Sequence, residues 1–238
     1  MSSRAIDPKA LLGDISGGRV LDVATGTGGF VRFLLDGLRD HAEIVGIDVN
    51  GERAAAFAAA VGDRPDVRFE QMDAHHLVFP DGSFDTVCVS NSLHHFADPA
   101  PVLAEMLRVL RPGGLLVVNE MYRDGQSETQ TTHVLLHHWW AAVNRIRGEV
   151  HRETYERARI VEIIEALGLA DLRLLDLADP DEHPHDPETV AELEAAIDRY
   201  VGLAEGHPEL QARGEALRTR LREVGVRGAT QLVAIGRR

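Results

Sequence analysis

The chain has 238 residues, 44% hydrophobic and 26% charged, with a formal net charge of −13 and a single cysteine. That length supports one large domain with a sizeable core. The acidic balance excludes a nucleic-acid substrate, which needs a basic footprint. It leaves a small neutral or cationic molecule, or a thiol, as the easier ligand. The lone Cys88 excludes an intrachain disulfide and fits a reducing cytoplasm.

Asp7 to Leu12 predicts a short helix, with Asp7 as its cap and Pro8 in its first turn. The first ten residues hold no apolar stretch of the kind a secretory signal needs. Apolar runs elsewhere are strand-sized, so no membrane span is expected. Next comes RVLDVATGTGG, Arg19 to Gly29. Val20, Leu21 and Val23 read as a buried parallel strand. Gly26 and Gly28 let the backbone turn at its carboxyl end and approach a ligand closely. Phe30 to Leu38 reads as a helix whose free N–H groups face that turn. Glu43 to Asp48 is a second strand, ending in an acid placed to take ribose hydroxyls in a doubly wound fold. Glu52 to Val61 is the return helix, and Asp66 to Glu70 the third strand, followed by Met72, Asp73 and Ala74. Phe84 to Val89 is the fourth strand and leads into SNSLHH. Pro99 to Leu110 is a helix that RPGG ends, and Leu115 to Glu120 is the fifth strand. Such alternation implies a parallel sheet covered on both faces.

A glycine turn by itself is shared by several nucleotide folds. Asp22, inside the strand, argues against a dinucleotide, because a carboxylate there suits positive charge or donor groups. The third glycine of G-x-G-x-x-G would fall at Val31, which argues the same way. DVATGTGG resembles motif I of the class I S-adenosylmethionine methyltransferases, most closely the ubiquinone/menaquinone C-methyltransferase-like (type 11) branch, with Ala24 in place of the first glycine. LRPGG before an apolar strand is a second mark of that family. The resemblance covers residues 15 to 120 well and 153 to 177 loosely. It implies a Rossmann-like, doubly wound, seven-stranded, mainly parallel sheet. It also implies S-adenosylmethionine as cofactor, with S-adenosylhomocysteine as product. Asp22, Ala24, Thr25, Gly26 and Gly28 would then face its methionine end, Asp48 its ribose, and Met72, Asp73 and Ala74 its adenine, with Val49 a further cofactor-binding residue. Asn91 and His95 would lie after strand four, His95 toward the methionine end. SNSL in place of an N-P-P-Y sequence argues against methylation of base nitrogens.

Residues 121–152 form an extra segment before the last crossover helix, Tyr155 to Leu167. Strand six is expected at Asp171 to Leu177 and strand seven at Thr230 to Gly236. Between them, where minimal members have a short hairpin, the 179–228 insertion fits two amphipathic helices, one opened by Asp186-Pro187 and one by Pro208. Their apolar stripes need a partner, either this domain's substrate side or a second subunit, with a homodimer slightly favoured. The whole reads as a single domain over 1–238, with 121–152 as a lid and 179–228 as a helical hairpin.

If Ser127 to Arg147 is one helix, Leu135, Trp139, Ala142 and Ile146 form its docking face. Gln130, His133, His137, Trp140 and Asn144 form the opposite face, and Trp140 favours a cleft there over solvent. His133 and His137 are candidate general bases, and Tyr122 a candidate pocket residue. No metal is expected, although His133 and His137 with Glu120 or His151 have weak ligand character. The expected activity is in-line methyl transfer to an O, C, N or S atom of a small molecule in the cytoplasm, without membrane attachment. The alternative is a sensor or partner protein that binds the same cofactor without turnover.

Overall fold

The computed structural model describes residues 7–179 and 183–238. The opening residues 1–6, read above for a secretory signal, and positions 180–182 of the long insertion lie outside this description. The chain divides into two compact units. The first holds the described residues from Asp7 to Glu120 with Val161–Leu175 and Leu232–Arg238, and the second holds Met121–Ile160 with the described residues of Asp176–Gln231.

The first unit is built around β1 (Arg19–Val23), whose Val20, Leu21 and Val23 are fully buried. It pairs in parallel with β2 (Glu43–Asp48) on one side and β4 (Phe84–Ser90) on the other. β3 (Val67–Gln71) adds to β2, and β5 (Leu110–Met121) adds to β4, also in parallel. With β6 (Ala170–Leu177) and β7 (Gln231–Arg237) the seven strands run in the order β3-β2-β1-β4-β5-β7-β6. The order reverses between β1 and β4, and in such sheets ligands bind outside the carboxyl ends at that reversal.

The helices of this unit follow the sequence closely. α1 (Pro8–Leu12) is capped by Asp7, which accepts from Lys9 N. α2 (Gly29–Gly37) buries Val31 and Leu34 on one face. The expected return helix begins as a 3-10 turn, Gly51–Arg53, and continues as α3 (Ala54–Val61). α4 (Pro99–Val109) begins at Asp98 and Pro99. His94 and His95 stand before it on a separate 3-10 turn, Leu93–His95. The expected turn at Arg111–Gly114 is drawn into the start of β5. There Gly113 N donates to Arg238 O and Arg238 N to Gly114 O, so the C-terminal residues complete the ladder that the turn would have left open.

In the second unit, α5 (Glu128–Ile146) begins with a reciprocal cap between Ser127 and Gln130. α7 (Pro187–Leu203) is capped by Asp186, and α8 (Pro208–Val224) starts at Pro208. Leu136, Trp139 and Val143 of α5, Ile197 of α7, and Leu217 and Leu221 of α8 form one buried cluster. The indole N–H of Trp139 donates to Leu210 O at 2.8 Å within it. The two insertions thus share one core. The apolar stripes of α7 and α8 are covered by α5 and need no second subunit for burial. α6 (Arg157–Glu165) straddles the division between the units. Among the described residues no helix is long and apolar enough to cross a membrane.

The docking face of α5 differs from the expected one. The buried residues are Thr132, Val134, Leu136, His138, Trp139, Ala141 and Val143, whereas Ile146 is 42% exposed. Trp140, which suggested a cleft, packs on the same helical cluster with its ring 5.8 Å from that of Tyr200.

Candidate functional site

The carboxyl ends of β1 and β2 meet at the glycine turn. Ala24, Gly26 and Gly28 all take positive φ, at 55°, 59° and 84°. For Ala24 this left-handed conformation costs on the order of 1 kcal/mol, and such strain collects at functional sites. The turn is pinned to β2 from two sides. Thr25 N donates to Ile47 O, and Gly26 N donates to Asp48 Oδ2 at 3.0 Å.

Asp22 is 1% exposed and stands between Gly46 of β2 and Cys88 of β4. Its Oδ2 accepts from the Thr25 hydroxyl at 2.6 Å, whereas Oδ1 has no hydrogen-bond partner. Burial pushes this carboxyl up to about 7; the Thr25 bond opposes the rise, and the charge of Asp48 adds to it. An orphaned carboxylate oxygen under a glycine turn is a site for a cationic donor. Cys88, fully buried, has its thiol pushed well up by desolvation, with the Asp22 charge adding, so it is a core residue and not a nucleophile.

Asp48 is buried apart from its tip. Its Oδ1 accepts from Asn50 N at 2.9 Å, and Arg53 approaches Oδ2 at 3.5 Å. Beside it Val49 is 68% exposed, a large apolar side chain on the rim of an open depression shared with Asn50, Gly51, Glu52 and Gln71. Met72 N donates to Asp48 O, which ties the third-strand loop to the same corner. Ala74 is buried. Asp73 accepts from the backbone N and ring Nδ1 of His75, and both contacts hold its carboxyl below the usual range.

The loop after β4 is held from β5. Glu120 Oε2 accepts from Ser92 N and Leu93 N, each at 3.0 Å, and Oε1 pairs with His94 Nδ1. Glu120 and His94 are both fully buried. Asn91, at φ 46°, starts this loop, and its N donates to Asn119 O. Ser92 Oγ reaches Ala24 O at 3.4 Å, so the loop abuts the glycine turn. The His94 ring lies 4.4 Å from that of His95. Sequence reasoning named Glu120 only as a weak metal ligand. The sole signal for its actual role is an acid at the end of an apolar strand.

In the helical unit, the sequence candidates fare differently. His133 Nδ1 accepts the Ala229 N–H at 2.9 Å. A neutral ring then carries its proton on Nε2, so His133 is a donor there and not a base; burial also lowers its pKa. Tyr122 is buried, and its hydroxyl is engaged by Thr230 and Asp176, where burial raises its pKa. Its expected part as a free pocket residue gives way to this network. His137 packs its ring 6.4 Å from Trp140. Both Glu120 oxygens and His133 Nδ1 are engaged in the hydrogen bonds given above.

Residues 21–118 match a family model described as a methyltransferase domain. Demethylmenaquinone methyltransferase of Deinococcus radiodurans is 45% identical over 103 residues, which cover 43% of this chain and 42% of that protein. The enzyme of the same name from Thermus thermophilus is 44% identical over 103 residues, 43% of this chain and 46% of that one. The chain thus spans less than half the length of these relatives. Among solved structures, the [4+2]-cyclase SpnF superimposes over 97% of this chain and 78% of its own, with a TM-score of 0.63 and 23% identity. A cyclase on this fold means that the fold alone does not set the chemistry. The motif-bearing segment does more: residues 21–118 are the stretch that matches the methyltransferase domain and these curated methyltransferases.

Proposed function

We propose that the protein is a cytoplasmic S-adenosylmethionine-dependent methyltransferase acting on a small molecule. The observation that carries this is the buried Asp22 with its unpartnered oxygen beneath the glycine turn, joined to Asp48 one strand away. A dinucleotide site would present helix N–H groups to pyrophosphate, and a buried carboxylate there would repel it. The residues fit the cofactor. Asp22 and Thr25 would hold its ammonium group, Asp48 its ribose hydroxyls, and Asp73 its adenine amino group. Val49, Met72 and Ala74 would form the apolar walls around the base.

The cofactor supplies a methyl group on a sulfonium, and transfer is an in-line displacement. The protein's part is alignment and exclusion of water. Glu120 contributes by fixing Ser92, Leu93 and His94 against the glycine turn, which leaves Asn91 and His95 in a loop with little freedom. Of the two α5 histidines, His133 has spent its Nδ1 lone pair on Ala229 and is not the proton acceptor in this reading. The acceptor is a quinone-like or other small molecule carrying a removable proton, a class supported by the relatives' printed names and by the net charge of −13.

The test is calorimetric titration of S-adenosylmethionine against wild type and Asp48→Ala. Losing charge-assisted hydrogen bonds of about 1.5–3 kcal/mol predicts roughly 10- to 100-fold weaker binding. NADH should give no heat. Unchanged affinity in the folded variant refutes the reading.

A further inference from the structure

The glycine turn owes its lack of side chains to ligand approach, yet the space above it is filled. A Cβ placed on Gly26 would meet Arg53 NH1 at 3.2 Å. The same guanidinium nitrogen stands 3.5 Å from Asp48 Oδ2, the oxygen that also accepts from Gly26 N. Arg53 ends the short 3-10 turn after β2, and its side chain is half-exposed, so it has room to leave.

Asp48 cannot serve all its partners at once. A carboxylate offers about four lone-pair positions. Gly26 N and Asn50 N take two of them as part of the fold, and Arg53 lies on a third. One position then remains, whereas a ribose diol needs two acceptors in one place.

We propose that Arg53 is an internal competitor for the cofactor site, a latch that pairs with Asp48 over Gly26 in the empty protein and must withdraw when the ribose arrives. This rests on the cofactor reading above and adds its regulation. The latch lowers apparent affinity by the stability of the pair, and it spares a site containing two carboxylates from standing open without a counter-charge. Because the pair is partly solvated, salt weakens it. A ligand without net charge should therefore bind the wild type more tightly as ionic strength rises, opposite to the behaviour of a site held together by ligand charge.

The experiment titrates the full chain with S-adenosylhomocysteine, which carries no net charge, at low and high salt, using wild type, Arg53→Met and Asp48→Ala. Arg53→Met keeps the apolar stem and removes the charge. At low salt it should bind about two- to fivefold more tightly than wild type, the range expected for a partly exposed ion pair. Its affinity should be flat with salt while that of wild type rises. Weaker binding by Arg53→Met would make Arg53 a direct ligand of the cofactor and overturn the latch. Equal binding would leave the pair without consequence and overturn it too. Binding by wild type that Asp48→Ala retains in full would instead refute the cofactor reading, as would no binding by any of the proteins, and the latch would fall with it.

Discussion

Replacing Asp22 by Asn tests the electrostatics of the glycine turn in the absence of any ligand. In the folded chain this carboxyl titrates at about 7, whereas an unfolded Asp titrates near 3.9. Between these values the native state holds a proton that the unfolded state has released. Stability therefore falls as pH rises from about 4 to about 7, and this contribution is flat above that. Each pH unit is worth about 1.4 kcal/mol, so from pH 5 to pH 8 the wild type loses about 3 kcal/mol through this one group. Asn is nearly isosteric, cannot ionise, and can still accept from Thr25 Oγ1 through its carbonyl. The other titrating groups are common to both proteins and cancel in the difference. Urea denaturation followed by far-UV circular dichroism at pH 5, 6, 7 and 8 reads that difference directly. The advantage of Asp22→Asn over wild type should grow by about 3 kcal/mol between pH 5 and pH 8, and the variant should lose affinity for S-adenosylmethionine. A difference that stays constant across the range would mean that Asp22 is ionised throughout, and the argument from burial would fail.

Two further outcomes concern the helical unit. Gly214→Ala on α8 should destabilise by about 1–2 kcal/mol despite a helix-propensity gain of about 1, because its Cβ would lie 2.4 Å and 2.9 Å from the ring of the buried, hydrogen-bonded Trp139 and 2.9 Å from Val201. Gly202→Ala on α7, where nothing lies within 4 Å, should instead stabilise by about 0.5 kcal/mol; both are read from urea midpoints, and a stabilised Gly214→Ala would refute the packing argument. His133→Ala should cost about 1–3 kcal/mol in the same assay by stranding the Ala229 N–H, with cofactor affinity kept. A neutral His133→Ala would return that residue to the candidate bases.

The sheet was legible because its strands announce themselves locally. Apolar runs end in an acid or a glycine, and Asp-Pro pairs at positions 7 and 186 mark helix starts whose caps then form. The geometry of the proposed cofactor corner was legible for a related reason. A turn that needs positive φ leaves glycines, and the acids around it sit at fixed strand ends. What was not legible depends on partners far along the chain. The spacing Leu135, Trp139, Ala142, Ile146 and the spacing Leu136, Trp139, Val143 are both helical, and a shift of one residue turns the face by about 100°. Periodicity chooses between such faces only when the other side is polar and wet. α5 is buried around most of its circumference, by α7 and α8 among others, so no single stripe existed to be found. Glu120 and Arg53 were missed for the same physical reason. Glu120 acts on backbone 27 and 28 residues earlier, and Arg53 owes its interest to the space above Gly26. Neither leaves a periodic or compositional trace. A buried acid becomes informative only when its oxygens can be assigned partners one by one. By that criterion Asp22 and Glu120 separate cleanly. Glu120 has both oxygens engaged and fixes a loop. Asp22 has one oxygen engaged by Thr25 and one, Oδ1, with no hydrogen-bond partner, which is what the proposed ligand role draws on.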